Sequence, residues 1–237
     1  MIIARIARAA RTPGLAVLAL ATALGLATAL VISPAICRAH PGTLYGDPVA
    51  AAPFWRYQRY DDDCVEAAAA DVVGELTGAE PSEEAIIAVA QATPSTVHSG
   101  PIYTKPKKRK HGEGTSFDDA PALLAHYGIH AVSTDKPSAK KVGVPTGMEA
   151  LEQDLAQGRR VIAGVNAELL WGDPVEDETQ DGEPESNHAV VVTGVDTAAG
   201  IVHLNDSGSE TGRDEQVSLA VFIKSWASSD DQMTVTG

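Results

Sequence analysis

The spacing of the apolar residues changes at Arg159, and this change constrains the fold more than any other feature of the chain. Before it, apolar positions recur at helical intervals, and helices are expected at about 63 to 77, 82 to 92, 116 to 127 and 147 to 157. Ser82 and Ser116 are the expected caps, and Gly78, Gly128 and Gly158 the stops. After Arg159 the runs become short and β-branched: "RRVIAGVNA", "NHAVVVTGVD" and "GIVHLND" read as strands separated by turn residues. "VSLAVFIKSWA" reads as a short helix or a strand before a last strand, "QMTVTG". Helices first and an antiparallel sheet after them define an α+β domain. With 237 residues, 44% of them hydrophobic, the chain can build one substantial core.

The N-terminus follows different rules. Arg5, Arg8 and Arg11 precede an uncharged run from Thr12 to Ala35, which is the order of a secretory signal. Residues 1–39 are therefore expected to be a signal peptide, cut after Ala39, or else an uncleaved anchor, since Leu15 to Ile32 approaches bilayer-spanning length. Residues 40–53, rich in Pro, Gly and Ala, read as a linker or N-terminal arm, and 54–237 as the folded domain. The expected location is secreted or associated with the cell envelope, with membrane contact only if the first segment stays uncleaved. Residues 1–39 hold four arginines and no acid, so 14 of the 18 basic residues remain against all 32 acids. So acidic a domain argues against a nucleic-acid partner or an anionic membrane surface.

Removing the signal also removes Cys37 and leaves Cys64 alone, which excludes an internal disulfide. A lone cysteine is commonly a small buried hydrophobe. Cys64 differs by position. Val65, Ala69, Val72, Val73 and Leu76 form one apolar helical face, and Asp63 with Glu66 resembles a capping box, which makes Cys64 the first helical residue. Free backbone N–H groups and the helix dipole favour a thiolate there. Asp61, Asp62 and Asp63 oppose it by like charge, so a cationic partner is required, and histidine is the natural one.

Among seven histidines, His188 opens the most apolar strand and ends an acidic loop, where a buried sheet meets the surface. The strands 188–195 and 201–206 are separated by "DTAAG", and folding them as a hairpin brings Asp206 within a residue pair or two of His188. That carboxylate can orient the imidazole. Asn205 takes this place if the register slips by one, because neighbours in a strand face opposite sides. The other histidines have no companion at metal-ligand spacing, and no phosphate loop or other cofactor signature is present, so no cofactor is expected.

"QRYDDDC" followed by "VEAAAADVV", then "GTSFDDAPALLAHYGI", "NHAVVVTGVD" and "VHLND" resemble the papain-like cysteine peptidases of the double-glycine, bacteriocin-processing type, in a stand-alone secreted branch. The resemblance covers roughly residues 54 to 235. It implies a papain-like fold with N-terminal helices packed on a C-terminal antiparallel sheet. It also implies that Gln58, six positions before Cys64, helps hold an oxyanion, and that His188 and Asp206 complete a triad with Cys64. Val65 stands where members often carry glycine, and the segment from Pro94 to Thr115 is long and basic.

The expected reaction is peptide-bond hydrolysis through an acyl-enzyme, with a peptide or protein as substrate. Gln58 and the Cys64 N–H would stabilise the oxyanion, a contribution of about 3 kcal/mol per donor. The alternatives are another acyl-transfer enzyme of this fold, such as a cell-wall peptide hydrolase, and an inactive peptide-binding domain. Two charged loops remain. "KPKKRKH", 105–111, is cationic, and "DPVEDETQDGEPE", 173–185, carries seven acids and ends just before His188. Such runs are usually solvated loops. The sharper expectation is that the acidic loop overhangs the cleft and favours basic peptides, or pairs with the basic one as a lid.

Overall fold

The computed structural model describes residues 42–106, 112 and 114–237. The signal or anchor expected at 1–39 and most of the basic run 105–111 lie outside the described residues. Among those described, no helix is long and apolar enough to cross a membrane.

The chain opens with a short strand β1 (Leu44–Gly46), a turn of helix α1 (Pro48–Ala51) and a 3-10 turn at Ala52–Phe54. Helices α2 (Cys64–Thr77), α3 (Glu83–Ala92) and α4 (Ala120–His126) follow, the last entered through a 3-10 turn at Phe117–Asp119. Then come β2 (Ala131–Thr134), α5 (Ala139–Val142), α6 (Met148–Ala156), β3 (Val161–Val165) and α7 (Ala167–Trp171). The chain ends with β4 (His188–Asp196), β5 (Ile201–Asn205), β6 (Glu215–Ser218), α8 (Leu219–Trp226) and β7 (Met233–Thr236).

All strand pairs are antiparallel, in the order β2-β7-β3-β4-β5-β6, with β1 on β4 beyond the end of β3. The sheet is the middle of three layers. Alternation along the strands sends Ile162, Ala189 and Val191 to one core with α2, α3 and α4, and Val161, Ala163, Val165, Val190 and Val192 to a second core with α6, α7 and α8. Coverage on both faces explains why β3 and β4 read as continuous apolar runs.

The four main helices and the strands β3, β4, β5 and β7 lie where the periodicity puts them. "VSLAVFIKSWA" divides at Ser218, which ends β6 and caps α8 by accepting from the Val221 N–H. Ser82 caps α3 as expected, whereas Ser116 makes no capping bond. Within the stretch 40–53, read as a linker or arm, Leu44–Gly46 add a strand to β4 and the turns that follow pack against α2. β2 and β6 are four residues each with no unbroken apolar alternation, so they have little local signal.

Helix α2 is buried on almost every side: Val65 to Gly74 are all buried, while Leu76, expected on the apolar face, is 42% exposed. Ala67 to Ala70 supply the thin profile that a helix needs between two other helices and a sheet. Gly74 is the extreme case, since a methyl there would lie 2.6 Å from the Phe54 ring and 2.8 Å from the Glu80 Cβ. Gly74→Ala gains about 1 kcal/mol of helix propensity but forces an overpacked contact costing about 1–3 kcal/mol. A lower thermal midpoint is expected; a raised one would show that the arm yields freely.

Candidate active site

Cys64 is the first residue of α2 and Asp63 its N-cap. The expected capping box does not form. Asp63 makes no side-chain cap bond, and the Glu66 carboxyl turns away to accept from the Thr115 hydroxyl at 2.5 Å. Burial explains the difference: Asp63 and Glu66 are both 0% exposed, sealed under α3 and the 115 segment rather than lying on a solvated helix end.

Burial favours the protonated form of both acids. Burial, then the charge of Glu83, pushes the Asp63 carboxyl up to about 8. Burial likewise lifts Glu66 to about 7, against the Thr115 hydrogen bond. Neither Asp63 oxygen meets a hydrogen-bond donor, so nothing there compensates an ionised carboxylate. Arg59 closes this cluster from outside through Glu83 and Glu84. Of the three consecutive aspartates, Asp63 is the one whose neutral form burial favours beside Cys64.

His188 begins β4 and is 8% exposed. One ring nitrogen, Nε2, lies 2.6 Å from Asp206 Oδ1, and the imidazole lines the same cleft as Cys64. Burial disfavours the imidazolium, yet the charge and hydrogen bond of Asp206, with a further contribution from Cys64, hold it up to about 10. Asp206 moves the other way: burial raises it, but His188, Trp171 and the Gly208 N–H outweigh burial and hold it below the usual carboxylate value. Its Oδ1 also accepts from Gly208 N at 2.7 Å, and its Oδ2 from Trp171 Nε1 at 2.8 Å.

Asn205 points to the opposite side, where its amide donates to Ala51 O and Asp71 Oδ2. The pairing of β4 with β5 shifts between Val192 and Gly194, and this bulge sets which residue of the pair meets His188.

Gln58 reaches the site through backbone stitching. Trp55 Nε1 donates to Asp206 O, Gln58 N to Ser207 O, and the Ser207 hydroxyl to Gln58 Oε1 at 2.8 Å. Gln58 Nε2 donates to Tyr60 O at 2.8 Å, which fixes the amide, and its second hydrogen meets no acceptor among the described residues. Gln58, Cys64 and His188 line one cleft of about 750 Å³. The four residues singled out in the sequence therefore converge.

Trp171 is the participant that sequence reasoning missed. It ends α7, a five-residue helix capped by Asn166, and its ring lies 5.6 Å from the His188 ring. Only its exposed position before a glycine hinted at a role. The contact that matters spans 35 residues and has no local signature. His203 pairs with Asp214 instead of joining the site, and no cluster among the described residues has the make-up of a metal centre.

The fold and site define a papain-like α+β protein in which a cysteine, an imidazole and a carboxylate meet at a helix–sheet junction. More particularly, the chain belongs to the Peptidase_C39-like family, whose model matches residues 55–234. It is similar over its full length, at 57% identity, to uncharacterized proteins of Mycobacterium bovis and Mycobacterium tuberculosis, each also covered completely. Its fold is similar to the crystal structure of a C39-like peptidase from Bacillus anthracis, with a TM-score of 0.56 and 18% identity over 82% of this chain and 98% of that one. A double glycine motif protease from an AMS/PCAT transporter, solved with its leader peptide, is more distant, at 15% identity and a TM-score of 0.43 over 76% of this chain and 88% of that one.

The buried acids make stability depend on pH in an uncommon direction. Asp63 and Glu66, with Asp71 shifted the same way by burial, bind protons more tightly folded than unfolded. Folding therefore takes up protons between about pH 4 and pH 8, and stability falls as pH rises through that window. His188, raised to about 10, adds to the fall above neutrality. Thermal unfolding should give a higher midpoint at pH 5 than at pH 8, with a shallower slope in Asp63→Asn and Glu66→Gln. A midpoint that climbs from pH 5 to pH 8 would show the acids to be ionised in the fold.

Proposed function

We propose that the protein is a cysteine peptidase in which Cys64, His188 and Asp206 act as a triad and Gln58 serves the oxyanion hole. The observation that carries this reading is a buried carboxylate 2.6 Å from the His188 imidazole, with His188 and Cys64 on the same cleft. His188 takes the thiol proton, and the thiolate sulfur adds to the scissile carbonyl carbon. The oxygen that gains the electron pair is held by the second Gln58 amide hydrogen and the Cys64 N–H. His188 then gives its proton to the leaving amine as the C–N bond breaks, leaving a thioester. Water, deprotonated by His188, adds to the thioester, and the thiolate leaves with release of the acid.

Asp206 stays ionised throughout and fixes the tautomer, while Trp171 and Gly208 fix Asp206. The substrate is a peptide or protein. Export is part of the proposal and rests on the basic-then-apolar order of residues 1–39. It is checked by N-terminal sequencing of the protein recovered from culture medium and cell envelope.

The first test is alkylation of Cys64 by iodoacetamide against pH. In the wild type the reaction should be fast near neutral pH; in His188→Ala it should be much slower at the same pH. A thiol equally sluggish in both would favour an inactive binding domain. On any cleaved peptide, Cys64→Ala should abolish turnover, and Gln58→Ala should lower kcat by about 10²-fold with KM little changed. An unchanged kcat in Gln58→Ala would remove that residue from the oxyanion hole.

A further inference from the structure

The acidic segment before β4 is not a free loop. Glu178 and Pro184 form a bridge, Thr179 N donates to Glu183 O, and Glu185 N donates to Asp177 O. Its base is fixed by Asn166 Nδ2 on Glu185 O and by Asn187 N on Val165 O. The segment thus stands folded on the rim of the cleft that holds Cys64, and Glu176 and Asp177 line that cleft.

Asn187, the residue before His188, gathers the acids. Its Nδ2 lies 3.0 Å from both oxygens of Glu168 and 2.7 Å from Asp177 Oδ2. Two carboxylates are thereby held against one neutral amide. Among the described residues, no Lys or Arg forms an ion pair with Glu168, Glu176 or Asp177. Like charges so placed are stabilised by an incoming cation. One turn after Glu168 on α7 is Trp171, 40% exposed, whose ring also lines the cleft. A carboxylate and a part-exposed indole three residues apart on one helix suit a guanidinium, which can pair with the first while packing on the second.

We propose that Glu168, Glu176 and Asp177 are specificity-determining residues, and that the cleft selects peptides carrying basic side chains, arginine above lysine, on its His188 wall. This rests on the reading of the cleft as a peptide site, but not on turnover.

The test is binding to full-length Cys64→Ala protein, followed by fluorescence anisotropy. The probes are labelled peptide pools that are identical except for fixed positions carrying Arg, Lys, Gln or Glu. The Arg pool should bind roughly tenfold tighter than the Gln pool, the size expected of two or three partly exposed ion pairs, with the Glu pool weakest. The advantage should shrink at roughly 0.2 M salt, where the screening length falls to about 7 Å. It should vanish in Glu168→Gln/Glu176→Gln/Asp177→Asn, while Gln-pool binding is retained and a Glu149→Gln/Glu152→Gln control on α6 keeps the preference. Equal binding of the Arg and Gln pools, no measurable binding of any pool, or a preference that survives the triple change would overturn the inference. If the preference holds while wild-type protein cleaves none of the pools, the peptidase reading fails and the specificity assignment stands.

Discussion

Asp206 is a fully buried carboxylate, and a buried charge persists only where the fold supplies its partners. Here they come from three places in the chain: the His188 imidazole at the start of β4, the Trp171 indole at the end of α7 and the Gly208 N–H two residues on. Its backbone carbonyl also accepts from Trp55, in the segment that carries Gln58. Satisfying this one group therefore fixes the imidazole, one wall of the cleft and the entry to α2. Gly208 shows how little slack remains, because a methyl there would lie 2.9 Å from the Trp171 ring and 3.0 Å from the His188 ring.

The start of α2 breaks a local rule in a way that the tertiary structure compensates. Three aspartates ahead of a helix are ordinary when solvated, where they complement the dipole. With Asp63 and Glu66 enclosed, the same residues become acids that hold protons, and they cap nothing. Asp62 remains engaged at the edge, accepting from the Tyr103 hydroxyl at 2.8 Å. In the proposed mechanism the positive partner of Cys64 is the His188 imidazolium, which Asp206 favours from the sheet side.

The parts of this arrangement that were legible in the sequence are those with local grammar. Cys64 at a helix start followed from the apolar face of α2, and His188 from the onset of the most apolar strand. Asp206 followed from hairpin arithmetic, although Asn205 stayed open because a one-residue bulge decides between them. The parts that were not legible depend on burial or distant contact. The capping pattern of Asp63 and Glu66 is the same string whether exposed or enclosed. β1 is three residues long and gains its identity only from pairing with β4. Trp171 matters through a hydrogen bond to a residue in another part of the chain.

Burial also divides the acids of this chain into two electrostatic populations, which a formal net charge of −14 conceals. Asp63 and Glu66, adjoining Cys64, hold protons near neutrality because their alternative is an unsolvated charge. Glu176 and Asp177, on the rim, are exposed. Their field extends into the cleft mouth and acts on what approaches rather than on the sulfur alone. Under the proposed reading a single acidic surface could not serve both ends, because charge that attracts a cationic peptide would, placed beside Cys64, oppose a thiolate. Enclosing the inner acids and tethering the outer ones through Asn187 separates the two effects within one cleft.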